Sequence, residues 1–346
     1  MGTETMKAFV ITAPRTSGVQ TTKRWVPEAG EILVRSKAVA ICTMERRLFS
    51  GSLPHYPAIG GHELAGIVEW VDSSQSELKA GDHVAVDVMN RCGRCFYCLK
   101  GSNNLCVDMS KPRKGSDFVI VGGGFAEYVC VPFQQAAKLP DDVDLAEASL
   151  IEPLACCLHS ISRTQLSPND TVAVLGAGTM GTLHVLLAKL EGARTIVSDV
   201  DEARLSFVQT QGADLTVNPR IDDPVQFVRD CTEGRGADVV VVAAGFLEAG
   251  EQALAMVART GHVILYASLH PSAALQLDWN AVHYREITVT GSANNTDRDF
   301  RQAAALVGSR AVNLKPLISK LISLDELPRE LMCSPAGKTQ RVVVRM

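Results

Sequence analysis

Leu175-Gly176-Ala177-Gly178-Thr179-Met180-Gly181 is the stretch that decides how this chain is read. It follows the β-branched run beginning at Thr171 and opens an apolar, helix-periodic run that extends to Leu190. A G-x-G-x-x-G loop between a strand and a helix has a mechanism behind it. Its glycines let backbone N–H groups approach a pyrophosphate at the start of the helix. Gly176, Gly178 and Gly181, with Thr179 and Met180 between them, are therefore candidate cofactor-binding residues. Asp199 follows Gly178 by about twenty residues, at the end of the next strand, where a carboxylate accepts hydrogen bonds from an adenosine ribose and repels a 2′-phosphate. NAD is expected over NADP, with Arg204 and Ala244 completing the candidate cofactor set.

Outward from this loop the alternation continues. A strand at Thr195–Ser198 leads to a helix ending near Gln211, then a strand at Ala237–Val242, a helix at Leu247–Arg259, and strands at His262–Ala267 and Ile287–Thr290. Strands alternating with helices predict a doubly wound parallel sheet. Upstream, between Lys7 and Phe133, the pattern is all-β: Ala8–Val10, Ile32–Val34, Gly66–Val68, His83–Val86 and Glu127–Val129 are short runs separated by Gly, Pro and Asp. Beyond the α/β region come a helix at Asp297–Val307 and a strand at Arg341–Val344 that has no clear partner there and is assigned to the first domain. The expected class is α/β plus all-β, with residues 1–152 and 293–346 forming one domain and 153–292 inserted between them.

The 346 residues carry a formal charge of −4 with no block of basic residues. That balance argues against nucleic acid or a membrane as partner and favours small-molecule chemistry. The longest apolar candidate, Thr171–Leu190, is broken by three glycines and His184, so no membrane span is expected. Met1–Lys7 lacks a secretory apolar core, which points to a cytoplasmic address. In that reducing setting the ten cysteines are read first as metal ligands, nucleophiles or core residues.

Their spacing is informative. Cys92, Cys95, Cys98 and Cys106 fall in one short loop, the pattern of a closed structural zinc site; an iron–sulfur cluster is the ligand-compatible alternative and free core cysteines the plain one. A second set is dispersed: Cys42, His62, Glu63 and Glu152. One thiol, one imidazole and carboxylates suit a catalytic zinc with an open position. Each also has an ordinary explanation, as a small buried residue, a core histidine or a helix-start carboxylate.

Gly61-His62-Glu63, the four-cysteine loop, Gly124-Phe125-Ala126-Glu127-Tyr128-Val129, Glu152-Pro153-Leu154-Ala155 and the glycine loop occur in the order seen in zinc-containing medium-chain dehydrogenases, which the whole chain resembles. It is most similar to the polyol branch of sorbitol and threonine dehydrogenases, because a Glu stands at 152 and because of Tyr284-Arg285-Glu286-Ile287. The resemblance implies a GroES-like β catalytic domain holding two zinc ions per chain, an inserted Rossmann domain and a homo-oligomer, dimer or tetramer. It places Cys42, His62 and Glu63 or Glu152 on the catalytic zinc. The implied activity is hydride transfer between NAD(H) and a secondary alcohol or ketone of a polyol, sugar, cyclitol or related hydroxylated small molecule, with Glu63 or Glu152 accepting the proton.

The sequence departs from that family where its members carry a hydroxyl and a His for proton relay, since Met44 and Arg47 stand there, and neither side chain can pass a proton. Thr43 or Glu45 is the candidate substitute. Arg47, with Arg46, is a candidate for binding an anionic substrate or the cofactor phosphates. His55, Tyr56, Arg113, Phe118, His159, Asn294 and Asn295 are candidate substrate contacts. Two other classes stay open: a metal-independent quinone or enone reductase on the same scaffold, and an NAD-binding protein that uses transient oxidation for epimerisation or does not turn over.

Overall fold

The computed structural model describes residues 4–72, 77–109, 117–333 and 340–346. Its contacts separate two compact units, Met1–Ala155 with Asn295–Met346, and Cys156–Asn294.

The first unit opens with β1 (Thr5–Ala13), β2 (Thr16–Lys23) and β3 (Glu31–Ala40), then helix α1 (Thr43–Ser50). Strands β4 (Ala58–Ile59), β5 (Glu63–Val71) and β6 (His83–Asp87) follow, then a one-turn helix α2 (Phe96–Leu99) and strands β7 (Val119–Ile120), β8 (Tyr128–Pro132) and β9 (Ala136–Lys138). Helices α3 (Leu145–Ala148) and α4 (Ile151–Ile161) lead into the second unit. After that unit the chain returns with α10 (Asp297–Gly308), β16 (Ile318–Ser323), α11 (Leu327–Met332) and β17 (Arg341–Arg345).

The larger sheet of this unit runs β16-β17-β3-β5-β6-β9, with β8 also paired to β3. Strand β3 is flanked on both sides and buried at most positions, which is why Ile32, Leu33 and Val34 read as a continuous apolar run. The partner that sequence left open for the final strand is β3, paired antiparallel with β17 through Val343↔Ala40. Phe9, Ile32, Leu64, Phe125 and Val344 share one apolar core beneath this sheet.

The second unit holds β10 (Thr171–Leu175), α5 (Thr179–Leu190), β11 (Arg194–Ser198), α6 (Glu202–Thr210), β12 (Leu215–Val217), α7 (Pro224–Asp230), β13 (Ala237–Val242), α8 (Leu247–Met256), β14 (Val257–Leu265), α9 (Trp279–Arg285) and β15 (Thr288–Gly291). Its sheet is parallel throughout, in the order β12-β11-β10-β13-β14-β15. On β10, Val172 and Val174 enter one apolar cluster while Ala173 and Leu175 enter another. Both faces are therefore covered, and the period-two alternation disappears from the sequence. The strand order reverses between β10 and β13, the place where open α/β sheets bind ligands.

The boundary that differs most from the sequence reading lies between α8 and β14. The helix stops at Met256, and the strand begins at Val257 rather than His262. Val257 already pairs with Ala237, and the irregularity that follows is taken up at Thr260, which has a positive φ of 58°. The pair Val257-Ala258 thus belongs to the sheet, and Thr260-Gly261 is an irregularity inside β14.

A candidate active site and two candidate metal centres

Helix α1 starts at Cys42, whose extended backbone makes it the N-cap, and Glu45 three residues on accepts a hydrogen bond from the Cys42 N–H at 2.9 Å. This is the carboxylate half of a capping box. The other Glu45 oxygen accepts from Gly61 N–H at 3.0 Å and lies 2.7 Å from Nδ1 of His62. Glu45 is fully buried, and so it aims the imidazole. Gly61 has φ +95°, and a Cβ there would stand 2.7 Å from the backbone N of Phe125. Only glycine fits at this approach, which carries His62 up beside α1.

Burial works against charge on both members of the pair. Their mutual attraction outweighs it, holding the Glu45 carboxyl below the usual carboxylate range and raising His62 well above an ordinary imidazole, helped by the Cys42 thiol.

Ligand atoms of Cys42, His62 and Glu63 lie within 4.8 Å of one another. Glu63 is 1% exposed; its Oε1 accepts from Arg341 Nη2 at 2.5 Å, and its Oε2 is buried with no hydrogen-bond partner among the described residues. The same guanidinium lies 3.9 Å from Cys42 Sγ, and its pKa, opposed by burial, is raised by Glu63, Cys42 and Glu152. An orphaned carboxylate oxygen beside a thiol and an imidazole whose other nitrogen is already anchored fits a divalent cation. Glu152, at the first turn of α4, belongs to the surroundings of Arg341 and falls outside the convergent three.

The sulfurs of Cys92, Cys95, Cys98 and Cys106 likewise lie within 4.8 Å of one another, a spread compatible with tetrahedral bonds of about 2.3 Å to zinc. Backbone N–H groups point at them, from Cys92 to the Cys106 sulfur at 3.2 Å and from Cys95 to the Cys92 sulfur at 3.3 Å. Donors from Cys98 and Val107 draw the Cys95 thiol down to about 6, while burial and the adjacent thiols push Cys98 up to about 12. Four thiolates repel unless a cation sits among them. All ten cysteines are free.

Arg91, next to the first of these cysteines, pairs with Asp87 at 2.6 Å and Asp297 at 3.0 Å, and donates to the backbone and side-chain oxygens of Asn295 at 2.8 and 2.9 Å. Asn103 donates to Asp297 at 2.8 Å. The cysteine loop is thereby tied to β6 and to the start of α10.

In the second unit Gly178 is the N-cap of α5 and faces open space, with nothing within 4 Å of where a Cβ would stand. At Gly181 a Cβ would fall 1.8 Å from the Gly176 carbonyl. Helix and loop therefore meet backbone to backbone, leaving a cradle at the helix start. Buried His184 fixes the first turn: its Nδ1 sits 2.7 Å from the Met180 carbonyl and its Nε2 2.9 Å from Ser160 Oγ, and burial pushes its pKa down to about 4. Asp199 accepts from Ala177 N–H at 2.7 Å and Asp201 N–H at 2.9 Å, with Arg204 at 3.9 Å. Ala244 stands against the loop, 3.1 Å from a Cβ built on Gly176.

Several expected substrate contacts are otherwise committed. Asn295 is fully buried and holds Arg91, so it is an anchor. Tyr56 donates to the Leu48 carbonyl at 2.6 Å, and Phe118 packs against the cluster of Met6, Ala8 and Val10. His55 is exposed, His159 is half-buried in α4, and Asn294 has a positive φ of 57°. Arg113 lies outside the described residues. Met44 and Arg47 are half-buried along α1. Sequence reasoning missed Glu45 as the partner of His62, and Arg341 altogether. The first had a signal in the Cys42-x-x-Glu45 cap spacing; the second had none.

Residues 28–141 match the family described as Alcohol dehydrogenase GroES-like domain, and residues 179–309 match Zinc-binding dehydrogenase. L-threonine 3-dehydrogenase of Bacillus subtilis (strain 168) is 31% identical over 326 residues, spanning 91% of this chain and 90% of its own. Sorbitol dehydrogenase of the same organism is 32% identical over 331 residues, spanning 93% and 92%. A solved structure described as a zinc-binding dehydrogenase from Sinorhizobium meliloti 1021, bound to NADP, is 32% identical with a TM-score of 0.92, covering 99% of this chain and 100% of that one. With its glycine cradle and clustered thiol, imidazole and carboxylate, the chain belongs to the zinc-type medium-chain dehydrogenases, in the polyol branch with the sorbitol and threonine enzymes.

Proposed function

We propose that the protein is an NAD-dependent, zinc-containing dehydrogenase that oxidises a secondary alcohol on a polyol, sugar, cyclitol or related hydroxylated small molecule. The observation that carries this reading is the buried Oε2 of Glu63, without a hydrogen-bond partner among the described residues, beside Cys42 and His62. Cys42, His62 and Glu63 would hold the catalytic zinc, and Cys92, Cys95, Cys98 and Cys106 a structural one. When bound there, zinc would supply polarisation of a substrate hydroxyl and a nicotinamide would supply the hydride acceptor. Glu45 keeps the His62 ring in register, and Arg341 holds one oxygen of Glu63 so that the other is aimed. With Met44 and Arg47 unable to relay a proton, we assign proton acceptance to Glu152.

Zinc analysis of carefully prepared protein should give two ions per chain. One ion or none, with turnover of quinones or enones intact, would support the metal-independent reading instead.

The preference for NAD rests on Asp199. Both its oxygens already accept backbone N–H groups, so its charge is fixed where a 2′-phosphate would come. The relative from Sinorhizobium meliloti binds NADP, which makes the comparison worth measuring. Asp199→Ala should raise the KM for NAD by roughly 10- to 100-fold, the worth of a charged hydrogen bond, and narrow the ratio of kcat/KM between the two cofactors. Equal use of both by the unmodified enzyme would sink the assignment.

A homo-oligomer is supported by exposed Trp279 (84%), Tyr284 (75%) and Leu277 (51%), close in sequence to the edge strand β15. The free cysteines suit a reducing cytoplasm. No described helix is long and apolar enough to cross a membrane.

A further inference from the structure

We propose that a pocket at the C-terminal end of α1 binds a phosphate-type oxyanion. The pocket, about 460 Å³, is walled by Arg15 from the turn between β1 and β2, by Arg46, Arg47 and Ser50 of α1, and by the end of α11. Arg46 is scaffold: it donates to the carbonyls of Glu330 and Cys333 at 2.9 and 2.7 Å and pairs with the Glu330 carboxylate at 3.2 Å. Lys320 shares that carboxylate at 3.1 Å, so it neutralises no other cation.

The side chains of Arg15 and Arg47 meet no acceptor among the described residues. Arg47 is half-buried and Arg15 exposed, and two guanidiniums that line one pocket with no carboxylate of their own among the described residues suit an oxyanion, which their planar forks can grip. The helix end does not oppose an anion with bare carbonyls. Leu48 O is taken by Gly51 N–H and Tyr56 OH, Arg47 O by Ser50 Oγ and Leu53 N–H, and Phe49 O by Arg15 N–H.

Thr43, Met44, Arg47 and Ser50 recur at helical spacing along one face of α1, leading from the Cys42 end to the pocket. Cys42 and Arg47 are about 7 to 8 Å apart along the helix axis. An oxyanion held at Arg47 is therefore on the same short helix as the candidate metal ligand Cys42. It has two possible sources, a phosphate ester on the hydroxylated substrate and the phosphates of the nicotinamide cofactor. That question of source rests on the dehydrogenase reading; the pocket itself does not.

The test is calorimetric titration of inorganic phosphate into the full-length protein. A single salt-sensitive site is expected, weakened at least 10-fold in Arg47→Ala, less in Arg47→Lys, and also weakened in Arg15→Ala, with the melting temperature reporting that each variant is folded. If saturating NAD displaces phosphate, the cofactor is the source. If a polyol phosphate displaces it and NAD does not, the substrate is; both results uphold the pocket. Absence of phosphate binding at millimolar concentration, or binding undiminished in folded Arg47→Ala, overturns it. Zinc content and NAD binding measured on the same samples report separately on the proposed activity.

Discussion

Cys42→Ala is expected to lower kcat/KM by roughly 10³- to 10⁵-fold, the several kcal/mol that metal polarisation of a hydroxyl is worth, and to leave one zinc per chain. The fold should survive, because Cys42 is half-buried and its loss as an N-cap costs only about 1 kcal/mol. His62→Ala is a poorer probe. It would strand the fully buried Glu45 carboxylate, and breaking a buried ion pair in that way costs about 3–5 kcal/mol. Glu152→Gln should behave differently from both, keeping two zinc ions and displacing the acidic limb of the kcat pH profile. Steady-state kinetics with metal analysis of the three variants decides the matter. A Cys42→Ala protein that retains ordinary activity would remove the metal from the mechanism.

Cys95→Ser should have the largest effect on local structure. The cysteine loop has little core: Phe96 is 70% exposed, Leu99 76% and Val107 65%. Metal binding in such a loop is its folding energy, about 10–16 kcal/mol for a whole zinc site in isolated peptides, and losing one thiolate removes a large share. The variant should lose one zinc, become cleavable by protease between Cys92 and Cys106, and melt at lower temperature. The remainder of the first unit should hold, since its main core lies in a separate cluster. An uncut loop with both zinc ions retained would contradict this.

Much of the architecture was legible because the signals were local. The glycine loop, its flanking strand and helix, and the cysteine spacing each lie within a short window, and the structure realises all three. The candidate active-site set was less so. Cys42 and His62 are twenty residues apart, and what joins them is Glu45 reaching across to Gly61 and His62, a contact made by tertiary packing. The choice between Glu63 and Glu152 could not be read from spacing; the convergence of ligand atoms favours Glu63. Asn295 looked like a loop residue awaiting substrate, whereas burial and Arg91 claim it. In the same way the Val257 boundary slipped because one pair of a parallel ladder is invisible without its partner Ala237.

The pairing of Arg341 with Glu63 spans 278 residues, and β17, which carries Arg341, lies inside its sheet between β16 and β3. On the ribosome, then, the inserted parallel-sheet unit emerges whole before the first unit can close. Until β17 arrives, the Ala38–Ala40 end of β3, beyond the part that β8 covers, is an unpaired edge of the kind that invites aggregation, and Glu63 lacks the Arg341 guanidinium. The nascent chain is therefore vulnerable until β17 is made, and a message truncated shortly before codon 341 should yield a product that chaperones hold and proteases clear, although the inserted unit and every candidate metal ligand have by then been translated.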